Sequence, residues 1–227
     1  MKPYIRMENN RAELYIYGDI EDYKWLESDV TSYQIAKELS GITTEEIDVY
    51  INSYGGSVAA GLAIYNSLKQ HKAKVKTYCD GFACSIASVI FMAGDERMMS
   101  GSSLLMVHNP WTNVSGNAEE LRKTADDLDK MTQASIHAYM DRATISEEEI
   151  KKLLNEETWI LPSEALEYGF ATSIIGLDAR EEYSQSARRK IMQCLTGKEI
   201  KRKETVPKKP KEAENPLLNL FAKMKEL

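Results

Sequence analysis

The sequence predicts an α/β fold with a largely parallel sheet, and two observations predict it. Short β-rich runs recur along the chain, and segments of 3.6-residue apolar periodicity lie between most of them. No internal repeat or domain linker interrupts residues 1–187. The strand candidates, in order, are residues 14–17, 47–51, 75–79, 104–107 and 172–175, each rich in β-branched or aromatic side chains. The helix candidates are 31–39, 58–70, 85–93, 118–142 and 147–155. The last is introduced by Ser146 with Glu149 three residues on, a capping box in which each side chain satisfies the other's backbone N–H. The helix at 118–142 is the longest and carries Leu121, Ala125, Leu128, Thr132 and Ser135 on one stripe. With so few large apolar groups, either part of it projects from the body or it lies as one more surface helix over the sheet.

At 227 residues, with 43% hydrophobic and 28% charged side chains, the chain can bury a sizeable core, which excludes a mini-protein and a wholly disordered chain. Three cysteines, Cys79, Cys84 and Cys194, are an odd number at no metal-ligand spacing, so neither a disulfide framework nor a metal site is expected and a reducing cytoplasm fits. The first ten residues hold no apolar signal region, and no window approaches the roughly 18 apolar residues of a membrane span. No membrane partner is expected.

Charge divides the chain. From Arg188 onward 12 Lys and Arg face 5 Asp and Glu, a net of +7, against −13 for residues 1–187. Residues 188–214, with Pro207 and Pro210 among lysines, read as a flexible basic linker. In residues 215–227, Asn215 suits an N-cap and Pro216 a first helical position, placing Leu217, Leu220, Phe221, Met224 and Leu227 on one face. That short amphipathic helix either docks on a partner or neighbouring subunit or folds loosely back on the body. Nucleic acid is not expected, because no aromatic residues are interleaved with the lysines.

Three segments carry candidate chemistry. In Ile51-Asn52-Ser53-Tyr54-Gly55-Gly56-Ser57 a strand ends in paired glycines and a helix begins, which suits an anion or oxyanion site but also an ordinary tight turn. The spacing is neither a Walker loop nor Gly-x-Gly-x-x-Gly. In residues 80–94 Ser85 stands at the mouth of an almost wholly apolar helix, a suitable place for a nucleophile and equally for a plain N-cap. Cys84 beside it reads as an inert packed thiol. In Leu104-Leu105-Met106-Val107-His108-Asn109-Pro110-Trp111, His108 ends a buried strand, where α/β sheets place sites and where a structural histidine also fits. His71, in a basic turn, and His137, in mid-helix, are poorer candidates for a general base.

Residues 51–64, 81–94 and 106–111, together with Glu164-Ala165-Leu166-Glu167-Tyr168-Gly169-Phe170, resemble in order and spacing the motifs of the Clp protease proteolytic subunit (ClpP) family. The phrases Tyr15-Ile16-Tyr17-Gly18-Asp19-Ile20, Val107–Trp111 and Glu157-Thr158-Trp159 look most like its bacteriophage and prophage head maturation branch. The resemblance covers about residues 12–180. It implies the ClpP/crotonase fold, a spiral of ββα units with a projecting handle helix, for which 118–142 is the natural candidate. It also implies Ser85 as nucleophile, His108 as general base, Glu157 as the acid, and backbone N–H groups of Gly56 and Ile86 as oxyanion donors. Tyr54, Gly55 and Asn109 then lie along the substrate-binding edge. Glu157 stands where the housekeeping enzymes typically have aspartate, and Tyr54 where the family usually has proline.

The expected activity is that of a serine endopeptidase acting on extended or unfolded polypeptides inside a homo-oligomeric ring chamber, without a cofactor in this chain. The setting is phage or prophage capsid maturation, with prohead association and head or scaffold partners, or Clp-like degradation in the cytoplasm. No ATP-binding motif is present, so energy-dependent unfolding would come from a partner ATPase. Two alternatives are a catalytically silent scaffolding or shell subunit and a crotonase-like acyl-CoA enzyme.

Overall fold

The computed structural model describes residues 5–8 and 11–176, so the expected linker 188–214 and helix 215–227 lie outside the described residues. The first strands and helices are β1 (Ile5–Glu8), β2 (Arg11–Tyr17), β3 (Ile20–Glu21), β4 (Val30–Thr31), α1 (Ser32–Leu39), β5 (Glu46–Ser53), α2 (Val58–Lys69) and β6 (Lys74–Cys84). There follow α3 (Ile86–Phe91), β7 (Glu96–Ser100), β8 (Leu104–Val107), α4 (Ala118–Met140), α5 (Glu147–Asn155), β9 (Thr158–Ile160), α6 (Pro162–Glu167) and β10 (Ser173–Ile175).

The main sheet runs β1-β2-β5-β6-β7-β10 and is parallel from β2 onward, with β1 antiparallel at its edge. Its register explains the core. Ala12, Leu14 and Ile16 pair with Ile47, Val49 and Ile51, which pair with Val75, Thr77 and Cys79, so alternate residues form continuous rows on one face. All of these rows are buried. On the opposite face the same register aligns Tyr15, Tyr50 and Tyr78, whose rings stack with centroids 5.0 and 4.7 Å apart. Ile64 and Leu68 of α2 and Val89, Ile90 and Phe91 of α3 join the buried cluster under the sheet.

Strand β6 is the hinge of the architecture. Its first half, residues 76–79, pairs with β7; its second half, residues 82–84, pairs instead with β8, which in turn pairs antiparallel with β9. Between the halves the β5–β6 register slips from Ile51–Cys79 to Ser53–Ala83, and the Asn52 side-chain oxygen accepts the Phe82 N–H at 3.1 Å. The sequence predicts this strand over residues 75–79, ending before Asp80 and Gly81. The structure carries it on to Cys84 since the bulge absorbs them.

Other differences have similar causes. β1, β3, β4, β7, β9 and α6 fall outside the runs and periods that the sequence shows, and the helix expected at 85–93 contracts to Ile86–Phe91. Helix α4 begins in a capping box, Asn117 with Glu120, and only Ser135, Ile136, Ala138 and Tyr139 of it are buried. Residues 118–123 are exposed, whereas Thr124, Asp127 and Leu128 are half-buried, so only the start of the helix projects from the described body, as one of the two expectations above has it.

Arg97 ties the far end of the sheet together. It is 5% exposed, and its guanidinium donates to the carbonyls of Phe170 (2.8 Å), Gly94 (2.9 Å) and Gly169 (3.1 Å). Arg97→Met leaves those three carbonyls without these donors. It is expected to cost about 2–4 kcal/mol of stability, read as a lowered thermal midpoint. Exposed Arg122→Met serves as the control and is expected to stay within about 0.5 kcal/mol.

Candidate active site

The β6–β8 ladder brings Ser85 and His108 to one place. The β6–β8 pairing ends at Cys84–Met106, and the next residue, Ser85, donates its N–H to the Met106 carbonyl at 2.8 Å. The β8–β9 pairing runs Leu105–Ile160, Met106–Trp159, Val107–Thr158 and ends there, with His108 directly after β8 and Glu157 directly before β9. Among the described residues only Ser85 (φ 55°) and Glu157 (φ 49°) are non-glycine residues at positive φ. Such backbone costs on the order of 1–3 kcal/mol and persists only where the surroundings enforce it.

Ser85 occupies the N-cap position of α3, yet its side chain makes no capping hydrogen bond. The hydroxyl instead lies 2.8 Å from His108 Nε2. The plain N-cap alternative is thereby corrected: with φ 55° and ψ −128° the side chain is turned away from the helix and onto the imidazole. Neighbouring Cys84 is buried, and burial pushes its thiol up to about 11, so it is not a thiolate near neutral pH. His71 Nδ1 is engaged locally by the Ala73 N–H at 3.0 Å, and His137 lies exposed on α4.

Gly55 faces the serine, and Gly56 the Ile20 carbonyl, at distances no other residue tolerates. A Cβ on Gly55 (φ 101°) would come within 2.7 Å of Ser85 Cβ, and one on Gly56 (φ 143°) within 2.0 Å of the Ile20 carbonyl oxygen. Gly55 is held by its N–H on the buried Ser53 hydroxyl (3.0 Å), and its carbonyl accepts from Ile20 N–H (2.8 Å). Ser57 N–H in turn donates to Ile20 O (2.7 Å). These bonds leave the Gly56 N–H without an acceptor among the described residues. Ile86 is the first residue of α3, so its N–H has no intrahelical acceptor either.

The remaining candidates occupy the margin. Glu157 is exposed, and no hydrogen bond or ion pair joins its carboxylate to His108. Asn109 donates to the Asn155 side-chain oxygen at 2.7 Å. Tyr54 is 67% exposed and meets Phe82 edge-on, as Phe82 meets Trp159, an aromatic row of which sequence reasoning names Tyr54 and passes over Phe82 and Trp159. Its only sequence signal is the spacing of Phe82 and Trp159 from Ser85 and Glu157. Next to Gly56 a cleft of about 590 Å³ is lined by Val58, Leu62, Trp111, Leu128 and Met131. Among the described residues no three His, Cys, Asp or Glu are placed to hold a metal ion, and no helix is long and apolar enough to cross a membrane.

The family model described as Clp protease matches residues 13–178. The chain belongs to the Clp protease family. It is 35% identical over 133 residues to the ATP-dependent Clp protease proteolytic subunit of Deinococcus radiodurans, covering 58% of this chain and 65% of that protein. It is 29% identical over 174 residues to the subunit of the same name from Borrelia garinii, covering 76% and 88%. A Bacteroides fragilis protein of that name is 32% identical over 133 residues, 58% of this chain and 64% of its own. The resemblance read from the four motifs thus holds at the level of the family, whose mixed α/β fold with a parallel sheet is the one described above.

For a Clp protease family member the glycine turn is the most sterically constrained part of this site. Gly56→Ala forces a Cβ against Ile20 O and is expected to destabilise the protein by about 2 kcal/mol or more. Gly41→Ala, where the nearest atom is at an ordinary 3.5 Å, is expected to leave the thermal midpoint within the error of a scan.

Proposed function

We propose that this protein is a serine endopeptidase that cleaves extended or unfolded polypeptides within a homo-oligomeric chamber. The observation that carries the reading is the 2.8 Å contact of Ser85 Oγ with His108 Nε2, on strained backbone beside two N–H groups without acceptors. In this mechanism His108 Nε2 takes the Ser85 proton as Oγ attacks the scissile carbonyl carbon, and the N–H groups of Gly56 and Ile86 receive the oxyanion. The imidazolium then gives its proton to the departing amine as the C–N bond breaks. Water, deprotonated by the same histidine, attacks the acyl carbon, and the imidazolium returns that proton to Ser85 Oγ as the ester bond breaks.

Histidine serves as base at Nε2 only with its proton on Nδ1, and Glu157 is the acid we assign to that proton. The β8–β9 register supports the assignment, and so does the positive φ that Glu157 shares with the nucleophile. Its carboxylate reaches His108 by a side-chain rotation, which we propose accompanies assembly. Tyr54, Gly55 and Asn109 form the substrate edge, and the cleft beside Gly56 takes an apolar side chain. The projecting turns of α4 support packing between subunits. A partner ATPase would supply unfolded substrate, as the words ATP-dependent in the relatives' names suggest. The phrases at 15–20, 107–111 and 157–159 favour a phage or prophage head protein as the natural substrate over general degradation.

Labelling the size-fractionated protein with a fluorophosphonate and locating the adduct by mass spectrometry tests this reading. Ser85 is expected to be modified in the oligomeric fraction, and Ser85→Ala to abolish both labelling and peptide cleavage; cleavage that survives Ser85→Ala refutes it. Glu157→Gln is expected to lower kcat by about 10²–10⁴-fold. Glu156→Gln, one residue away at the end of α5, is expected to stay within about twofold by the same reasoning.

A further inference from the structure

Helix α3 contains one polar residue, Ser88, which is 1% exposed. Its hydroxyl lies 2.5 Å from the Ser85 carbonyl oxygen and 2.7 Å from the phenol oxygen of Tyr139, which is 2% exposed in the last turn of α4. The proton directions follow from counting. A carbonyl can only accept, and a serine has one proton, so Ser88 donates to Ser85 O and Tyr139 must donate to Ser88. Burial pushes the Tyr139 phenol up, so that proton stays in place across the working range of pH. Ser88 also donates its backbone N–H to the same carbonyl at 3.0 Å.

The carbonyl held in this way belongs to the peptide unit that also carries the Ile86 N–H. A trans peptide is planar, with its C=O and N–H pointing to opposite sides. Drawing Ser85 O inward onto Ser88 therefore turns the Ile86 N–H outward, to the side where Gly55 approaches: a Cβ built on Gly55 would lie 3.3 Å from Ile86 N. Resting on the serine-hydrolase reading above, we propose that Tyr139 and Ser88 act in series as positioning residues that fix the Ser85–Ile86 peptide, and so aim the Ile86 oxyanion donor. The ring of Tyr139 stacks on Phe170 (centroids 5.4 Å apart), whose carbonyl accepts from Arg97, so the phenol is itself held from behind. The arrangement makes the donor depend on where the end of α4 sits.

The series order gives a test. The full-length protein in its assembled fraction is compared with Tyr139→Phe, Ser88→Ala, the double variant and Ser88→Thr. The assay is a fluorogenic peptide that the wild type cleaves, and a peptide aldehyde of the same sequence serves as a tetrahedral-adduct probe. Tyr139→Phe and Ser88→Ala are expected to lower kcat by roughly 10- to 100-fold, less than outright loss of an oxyanion donor, with KM unchanged. Aldehyde affinity is expected to fall by the same factor as kcat/KM, since its oxygen occupies the same hole. The double variant should be no slower than Ser88→Ala, because Tyr139 acts only through Ser88, and Ser88→Thr should restore most of the rate.

Wild-type kcat in both single variants, losses that multiply in the double variant, or losses confined to KM would overturn the pairing. So would losses that match a reduced folded fraction by circular dichroism. Should Ser88→Ala fail to fold, Tyr139→Phe, which removes a single oxygen, decides by the same kcat and aldehyde readouts. A wild type whose cleavage survives Ser85→Ala overturns the serine reading itself; an active, Ser85-dependent wild type with unaffected variants overturns this inference alone.

Discussion

The backbone of Ser85 is the constraint on which the rest of this site depends. At φ 55° and ψ −128° the residue occupies a conformation that an L-amino acid adopts only when held. It is held at each of its polar groups: N–H on Met106 O, carbonyl under the two donors of Ser88, and hydroxyl against His108. Each such bond contributes about 1 kcal/mol net, enough together to offset a strain of the order of 1–3 kcal/mol. Gly55 then has to be glycine, because the turned serine fills the space its side chain would need.

What places Ser85 is the division of β6. A strand that kept β7 as its neighbour throughout would carry its C-terminal end along the main sheet. The bulge at residues 80–82, satisfied by the Asn52 side chain, lets β6 leave β7 and pair with β8. β8 then delivers His108, and Glu157 directly precedes β9, the partner strand of β8. Ser85 and His108, 23 positions apart, meet because the β6–β8 ladder ends beside both.

Helix α4 solves a different problem, that of persisting with little core beneath it. Its N-terminus is closed by a capping box with acidic residues in the first turn, and Lys123 and Lys130 flank Asp127 at i,i+4 and i,i+3 spacing. Its fully buried residues lie in the last turns, and Tyr139 among them touches Ser88. The projecting helix and the nucleophile are thus joined through one buried hydroxyl pair.

Much of this was legible in the residues themselves. The alternating runs at 14–17 and 47–51 gave the parallel core strands, Ser146 and Glu149 gave a helix start, and four ordered motifs gave the family. These are local patterns of period, cap and composition, which neighbouring residues impose on one another. The second half of β6 was not legible, since Asp80-Gly81 resembles a turn until Asn52 reaches across to it. Whether Ser85 caps a helix or faces a base was equally open in the sequence, because both roles call for serine at the same position. Tertiary structure alone decided it: the conformation of one residue is set by partners at positions 55, 88 and 106, and contacts made through space leave no mark in the local pattern.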